Sequence, residues 1–350
     1  MTQLWARTLM AVAIGSFGAM GAWLIGLPAP MLMGPALTVT AAAIAGVRLH
    51  MPVRLRDASF IVIGTGMGAG VTPETLEAMR TWPFSVVMLA VSIGAILLVG
   101  AMTVARLFGR DWRTATLAAS PGHLSYVLGL GLDVRADVPF VTVVQSLRLL
   151  ALTLLVPVVV VLGGDLDAPA EAPAAMALPI LVVVLAAGTG LGLILSRFGV
   201  PAALLLGGMF ASSLLHGAGW VSGGVPLWLT IPGFLIMGTL IGTRFDGTRW
   251  ATLRKALGAS CALTLISIVI SLSGATLVAS VTGLPVMQVL IAFSPGGVET
   301  MAAMAVLLDA DPAFVAAHHV LRLFVLTALV PLILRLGRQD DAFGEDTSRK

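Results

Sequence analysis

Two short segments place proline, glycine and hydroxyl residues inside long apolar runs, and they are the part of the sequence best suited to binding chemistry. We call Ser120–Gly122 the first break and Ser294–Gly296 the second break. Proline and glycine interrupt the backbone hydrogen-bond ladder, and unpaired amides in lipid are costly, so such breaks persist only within protein or against a watery cavity. Paired breaks therefore indicate a binding site near the membrane midplane, with a simple packing kink as the alternative.

Polar and charged residues surround both breaks and complete a candidate site for a small solute. The candidate binding residues are Ser120, Pro121, Gly122, His123, Ser125, Gln145 and Arg148 in the first half, and Ser294, Pro295, Gly296, Gly297, Thr300, His319 and Arg322 in the second. The two sets are not identical, so we expect an asymmetric site.

Glu299 is the one carboxylate that lies deep in a predicted apolar segment. Burial favours the neutral form of a carboxyl group unless a cation pairs with it. Glu299 is therefore a candidate for carrying a proton or holding a sodium ion in a coupled cycle. A purely structural ion pair is the alternative.

Arg148 and Arg322 lie about ten residues inside their apolar runs, too deep to reach the membrane surface easily. A central arginine costs about 2.5–3.5 kcal/mol on insertion scales, so both should face the protein interior and find a partner. Gln145 and His319 each precede an arginine by three residues and share its helix face. The partner is an anionic solute, Glu299, or the carbonyl groups that the breaks release.

Other kinds of site are disfavoured by the spacing of the remaining polar residues. The five histidines include no pair at helical i, i+4 spacing, and the single cysteine has no partner, so we expect no metal site. We find no catalytic triad pattern, phosphate loop or dinucleotide fingerprint. We therefore expect no cofactor and no enzymatic activity.

Composition indicates which elements must position these residues. Hydrophobic residues make up 58% of the 350 positions and charged residues only 11%. A soluble domain has about 25% charged residues, so this chain has too few to cover a surface in water. It is predicted to be an all-α polytopic membrane protein, with apolar runs near 8–26, 29–47, 58–71, 82–105, 138–162, 176–196, 199–221, 225–243, 256–281 and 312–335.

The sequence repeats itself. Residues 120–157 align without a gap to residues 294–331, and 15 of these 38 positions are identical. Earlier in each half, Gly64 and Gly68 recur as Gly238 and Gly242. A tandem duplication follows, with a first membrane repeat over 1–162, a linker over 163–175, a second repeat over 176–335 and a tail over 336–350.

Charge placement predicts how the two repeats are oriented. If the segments carrying the breaks do not change sides, ten helices span, 17 Lys and Arg residues face one side and only Arg80 the other. If all twelve segments span, that is, the ten runs above and the two segments that carry the breaks, 11 Lys and Arg residues face one side and 7 the other. The positive-inside rule prefers ten spans, with both termini cytoplasmic and the linker outside. Each repeat then has an odd number of spans, so the repeats are inverted, as in secondary transporters. Whether the breaks form re-entrant hairpins or broken spanning helices stays open.

Three features of the sequence carry a family resemblance: the duplicated Ser-Pro-Gly segment, the Asp…Phe…(Gln/His)-x-x-Arg stretch that follows it, and the opening at Gly26–Pro35. Through them the chain resembles the AbrB-type bacterial membrane protein family over essentially its whole length. The resemblance implies a multi-pass protein of the bacterial inner membrane, distantly similar to inverted-repeat antiporters and anion transporters. Family members are labelled regulators of gene expression, and some carry an ammonia monooxygenase label. The soluble DNA-binding regulator that shares the name is unrelated.

Three functions follow from these observations. The residues favour a secondary transporter of a small anionic solute coupled to H⁺ or Na⁺. The family label motivates a membrane-bound regulator that senses a ligand and acts indirectly on gene expression. A monooxygenase rests on its label alone, since an oxygenase needs clustered metal ligands. The expected partners are the lipid bilayer and an unidentified small molecule or ion, with no direct nucleic acid. A homodimer is left open.

Overall fold

The computed structural model describes residues 2–70, 82–122, 124–163, 174–200, 202–308 and 310–347. Within these ranges, the side chains of residues 2, 124, 125, 163, 299, 302 and 336–347 are not described. The segment Thr72–Arg80 has a Thr cap and Pro73 in its first turn, which predicts a helix at the membrane interface. This segment and most of the linker lie outside the described residues.

The described chain is helical, with one isolated bridge between Ala175 and Gly224 and no β-strand. The all-α class predicted from composition is confirmed. The helices are α1 (Thr2–Leu24), α2 (Pro30–Ile44), α3 (Val53–Ala69), α4 (Trp82–Phe108), α5 (Trp112–Ala119), α6 (Leu124–Asp133), α7 (Val138–Gly163), α8 (Leu178–Arg197), α9 (Ala203–Gly217), α10 (Leu227–Thr243), α11 (Trp250–Thr282), α12 (Val286–Phe293), α13 (Val298–Leu307) and α14 (Pro312–Thr347).

Six of the described helices, α1, α4, α7, α8, α11 and α14, are long and apolar enough to cross a membrane. The other four predicted spans are the shorter helices α2, α3, α9 and α10, which have 15 to 17 residues each. At 1.5 Å per residue they are roughly 22–26 Å long, somewhat less than the hydrocarbon core of a bilayer. Helix α14 continues into the predicted tail as far as Thr347.

Local backbone geometry recurs at the same positions of the two repeats. Gly26 and Gly199 both have positive φ, and Ala29 and Ala202 adopt the left-handed conformation with φ of 51° and 50°. Each alanine is the N-cap residue of a short helix, α2 or α9. A non-glycine residue with positive φ is uncommon, so its appearance at both positions supports the predicted duplication.

The helices form two bundles, and each bundle takes helices from both repeats. The scaffold bundle contains α1, α2, α3, α8, α9 and α10, and the core bundle contains the other eight helices. In the scaffold bundle, α3 packs on α9 and α2 packs on α10. Gly64 lies against the carbonyl of Leu205 and Gly238 against the carbonyl of Leu32, which leaves no room for a Cβ atom. The repeated glycines therefore allow close helix packing, as their spacing predicts.

In the core bundle, the two helix pairs that contain the breaks are hairpins. Asp137 follows α6, yet its N–H donates to Thr114 Oγ1 in the first turn of α5 at 2.9 Å. In the same way the N–H of Asp311, after α13, donates to Gln288 Oε1 in the first turn of α12 at 3.4 Å. Both outer ends of each hairpin therefore lie at one level. This geometry answers the question left open by the sequence in favour of re-entrant hairpins.

The two hairpins enter the core bundle from opposite ends. The indole of Trp112, at the start of α5, donates to the carbonyl of Ile333 near the far end of the apolar part of α14. The hairpin of α12 and α13 instead has its outer ends at Asp311, just before α14 begins. These two positions are roughly 30 Å apart along the helix. The breaks, at the inner ends of both hairpins, therefore meet near the middle of the bundle.

Candidate functional site

The first break is held open by side chains of α7. Asp111 caps α5 by accepting a hydrogen bond from the N–H of Thr114 at 2.9 Å, so this half-helix starts at a fixed place. It ends at the first break, where Gly122 has a φ of 100° that only glycine adopts readily. The break leaves carbonyl groups without helical partners inside the protein.

Arg148 and Gln145 bind these carbonyls. The guanidinium of Arg148 donates to the carbonyl of Ala119 at 3.1 Å and to that of Ser120 at 2.6 Å. Gln145 Nε2 donates to the carbonyl of Leu117 at 2.9 Å. Arg148 is only 2% exposed, and these contacts compensate for the water that it loses. Of the partners considered from the sequence, the structure shows the carbonyl groups of the break.

Arg322 holds the second break in the same way. Its guanidinium donates to the carbonyl of Ser294 at 3.0 Å and to that of Gly296 at 2.6 Å. His319, which corresponds to Gln145, is fully buried and lies against the carbonyl of Ile291 outside hydrogen-bond geometry. The duplicated arginines therefore perform the same structural task in both repeats, while their neighbours differ.

The two breaks touch each other through Arg322. A Cβ atom added to Gly122 would lie 3.1 Å from Arg322 Nη2 and 3.5 Å from its Cζ. The guanidinium that holds the second break thus packs directly against the backbone of the first. Absence of a side chain at Gly122 is what permits this contact.

A cavity of about 650 Å³ lies beside the breaks, between the scaffold bundle and the core bundle. Both arginines line it, as do residues of α3, α8, α9 and α10. The lining residues used below are Arg56, Asp57, Gly122, Gln145, Arg148, Ser196, Arg244, Gly296, Gly297, Val298 and Arg322.

The cavity is positively charged. Its described lining contains four arginines (Arg56, Arg148, Arg244 and Arg322) but only one carboxylate, Asp57. Asp57 Oδ1 accepts two hydrogen bonds from Arg56, at 2.9 and 2.7 Å, so its charge is already paired. A cavity of this sign attracts anions and repels cations.

The lining of the cavity extends to the end of the protein where α3 begins and α8 and α10 end, which we call the arginine-rich end. Arg56 and Arg244 lie there, and Arg48 forms an ion pair with Asp246 at 3.9 Å nearby. An anion entering from this end would pass these arginines before it reached the breaks.

The structure sorts the candidate binding residues into three groups. The residues that line the cavity are Gly122, Gln145, Arg148, Gly296, Gly297 and Arg322. The residues that are buried beside it without lining it are Ser120, Pro121, Ser294, Pro295, Thr300 and His319. His123 lies outside the described residues, and so do the side chains of Ser125 and Glu299, whose backbones belong to α6 and α13.

Sequence reasoning missed the contribution of the scaffold bundle to the cavity. Arg56, Ser196 and Arg244 lie at predicted membrane boundaries, where charged and polar residues are ordinary. It also missed the contact of Ser85 with His318, whose Oγ and Nε2 atoms are 2.7 Å apart. His318 is fully buried among aromatic rings, including that of Phe314 at a centroid distance of 4.0 Å. No local pattern identifies these contacts, since they join helices far apart in the sequence.

The chain is similar to known proteins over most of its length. The chain is 26% identical over 295 residues to "Uncharacterized protein YhjN" of Bacillus subtilis (strain 168), covering 79% of this chain and 77% of that protein. It is 24% identical over 314 residues to "Putative regulator AbrB" of Escherichia coli (strain K12), covering 88% and 90%. The family described as "Transition state regulatory protein AbrB" matches residues 31–338. Because this match spans most of its length, the chain belongs to the AbrB family.

Proposed function

We propose that this chain is a secondary transporter of a small anionic solute, which binds in the cavity between the two bundles. The observation that carries this proposal is the cavity lining, where Arg148 and Arg322, each from one repeat, meet at the two breaks. Discontinuous helices of opposite orientation that meet at the midplane are typical of secondary transporter binding sites. No covalent chemistry on the solute is part of this proposal.

The two-bundle architecture supports a transport cycle. The cavity is bounded on one side by the scaffold bundle and on the other by the hairpins, α7 and α14. The contacts between the bundles are made mainly by α2, α3 and α10 on one side and by α7, α13 and α14 on the other. Rocking of one bundle against the other would close the cavity at the arginine-rich end and open it at the opposite end.

We place the protein in the bacterial inner membrane with the arginine-rich end in the cytoplasm. Arg48, Arg56 and Arg244 lie at this end, and the positive-inside rule assigns it to the cytoplasm. Both termini then lie in the cytoplasm, and the cavity as described faces inward. Glu299 is a candidate for carrying a proton or holding a sodium ion, since it follows Val298, which lines the cavity.

Binding is tested by the thermal stability of the purified chain in detergent against a panel of small anions, amines and neutral metabolites. A ligand at 100 times its Kd stabilises the native state by about 2.7 kcal/mol. We expect stabilisation by anions only. Ser196→Asp adds a negative charge at an exposed lining position without touching the arginine contacts, so it should abolish the effect. Thr248→Asp adds the same charge outside the lining and should keep it.

Stabilisation by amines rather than anions would contradict the proposal, as would equal anion responses in wild type and Ser196→Asp. Transport itself is tested by flux in proteoliposomes with the anion found in the panel. Loss of flux driven by a proton or sodium gradient in Glu299→Gln, with anion binding retained, would assign the coupling role to this residue.

A membrane-bound regulator is the second candidate, because the matched family and the E. coli relative are named for regulation. In this case the same cavity binds the anion, and the change of conformation is passed to a cytoplasmic partner. Anion binding without flux, together with a partner that binds only the loaded protein, would favour sensing over transport.

A further inference from the structure

Four helices of the core bundle form a closed ring that includes the half-helix ending at the first break. In this ring α4 packs on α5, α5 on α7, α7 on α11 and α11 on α4. At Gly100 of α4, an added Cβ atom would lie 2.7 Å from Leu263 of α11 and 3.0 Å from the Cβ of Ala119 of α5. Three helices therefore converge here, directly beside Ser120.

One face of α11 carries a row of buried hydroxyl groups. Ser260, Thr264, Ser267 and Ser271 follow at intervals of four, three and four residues, which places them on one face of a helix. The first donates to the carbonyl of Val144 on α7 at 3.3 Å, and the last to the carbonyl of Phe293 at the second break at 3.0 Å. Thr264 and Ser267 lie between these two contacts on the same face of α11.

Five hydroxyl groups of this ring are buried without a hydrogen-bond partner among the described residues. Hydroxyl groups in helices usually donate to a carbonyl four residues earlier, as Thr153 does here at 2.8 Å. Leaving one buried and unpaired costs about 1–3 kcal/mol. The five are Thr116, Ser120, Ser146, Thr264 and Ser267, all at most 5% exposed. Several buried oxygens without a protein partner indicate that a ligand binds to them.

The chemistry of these groups suits a small, hard, monovalent cation. The donors are neutral oxygens, and no group of three His, Cys, Asp or Glu side chains that could hold a divalent ion occurs in the described part of the chain. The C-terminal end of α5, at Ala119, adds the negative end of a helix dipole, although Arg148 already donates to the carbonyls of Ala119 and Ser120 there. In discontinuous transporter helices, such ends and freed carbonyls coordinate sodium.

We infer that a sodium ion binds inside this ring, held by the unpaired hydroxyl groups of α5, α7 and α11. Only the role of sodium as a coupling ion rests on the proposed function. The sodium site itself is built from residues other than those described as lining the anion cavity. None of the five hydroxyl-bearing residues is among the described residues that line the cavity.

The position of the site explains how sodium would be coupled to the anion. Arg148 holds the carbonyls of Ala119 and Ser120 and also lines the cavity, so the tip of the first hairpin separates the two sites. Without an anion, the charge of Arg148 opposes a nearby cation. An anion in the cavity compensates this charge and favours sodium, and by thermodynamic linkage sodium favours the anion equally.

The experiment is a titration of thermal stability with NaCl against KCl or choline chloride at constant ionic strength, with the purified full chain in detergent. We expect saturable stabilisation by sodium and not by choline, weaker for potassium. Thr264→Val removes the hydroxyl and keeps the shape, so it should raise the half-maximal sodium concentration at least tenfold. Ser267→Ala should do the same. Thr276→Val, an exposed position on the same helix, should titrate as wild type.

The outcomes separate this inference from the proposed function. Without sodium, Thr264→Val should be at least as stable as wild type, because it removes an unpaired buried group, so misfolding does not obscure the result. Coincident sodium and potassium curves in wild type, or an unchanged half-maximal concentration in both ring variants, would overturn the sodium site while the anion test still stands. Sodium binding as expected with no anion binding would instead refute the transporter and leave the site intact.

Discussion

Gly122 is the point at which the two breaks touch, so replacing it with alanine perturbs both at once. The new Cβ atom would lie 3.1 Å from Arg322 Nη2, inside normal contact distance. The φ of 100° is also one that alanine rarely adopts. Gly122→Ala therefore combines backbone strain with displacement of a buried charge.

The expected loss of stability is the sum of these two effects. Left-handed backbone costs an L-residue about 1–2 kcal/mol. If Arg322 moves and loses one of its two described bonds, to Ser294 or Gly296, the loss is about 1.5–3 kcal/mol for a charged donor. We expect Gly122→Ala to lower the free energy of unfolding by about 2.5–5 kcal/mol. Because the guanidinium lines the cavity, anion binding should weaken as well.

The assay is SDS-induced unfolding in mixed micelles, followed by circular dichroism, with Gly129→Ala as the control. Gly129 lies on the same hairpin, in α6, and no atom lies within 4 Å of its added Cβ. Alanine there should leave stability unchanged or raise it by up to about 1 kcal/mol. Equal stabilities of the two variants would refute the contact between Gly122 and Arg322 as a determinant of the fold.

Three further predictions concern the scaffold, the cavity mouth and the first break. Gly64→Ala should destabilise the protein by about 2 kcal/mol or more, because the added Cβ atom would force α3 away from α9. Gly66→Ala should be nearly neutral, since the nearest atom to its added Cβ is 3.9 Å away. Unfolding in urea or SDS compares the two variants. Arg56→Ala should weaken anion binding by roughly 2–5-fold at low salt and less at high salt, unlike the exposed Arg54→Ala, which lies outside the lining. Gln145→Leu should cost about 1–3 kcal/mol by leaving a buried carbonyl unpaired, and unchanged stability would show that this carbonyl finds another partner.

The breaks and their arginines could be located from sequence because each is costly in lipid without compensation. Arg148 and Arg322 had to face the interior, and the structure places both there, at 2% and 1% exposure. The binding partners of the two arginines could not be predicted from the sequence, because carbonyl groups, an anion and Glu299 are all suitable partners for a buried arginine. Choosing among them requires the direction of each hairpin, which depends on packing across the whole bundle.

Other features could not be predicted from local sequence patterns, for physical reasons. The apolar runs extend past the short helices, because the turns after α2 (residues 45–47) and before α9 (residues 199–200) are themselves apolar. Hydropathy therefore overestimated the lengths of α2 and α9. The unpaired hydroxyls of α11 left a visible signal in their spacing, but only burial shows that Thr264 and Ser267 lack partners among the described residues. The cavity wall formed by α3, α8 and α10 joins residues more than a hundred positions apart.

Because each bundle draws helices from both repeats, neither half of the chain contains a complete folding unit. When the first repeat has left the ribosome, α3 still lacks α9, and the bare surface around Gly64 faces lipid until the second repeat is inserted. Biogenesis must therefore hold half a protein in the bilayer while the other half is synthesised in the opposite orientation. A chain cut after α7 should yield two fragments that are each degraded alone and are rescued by co-expression.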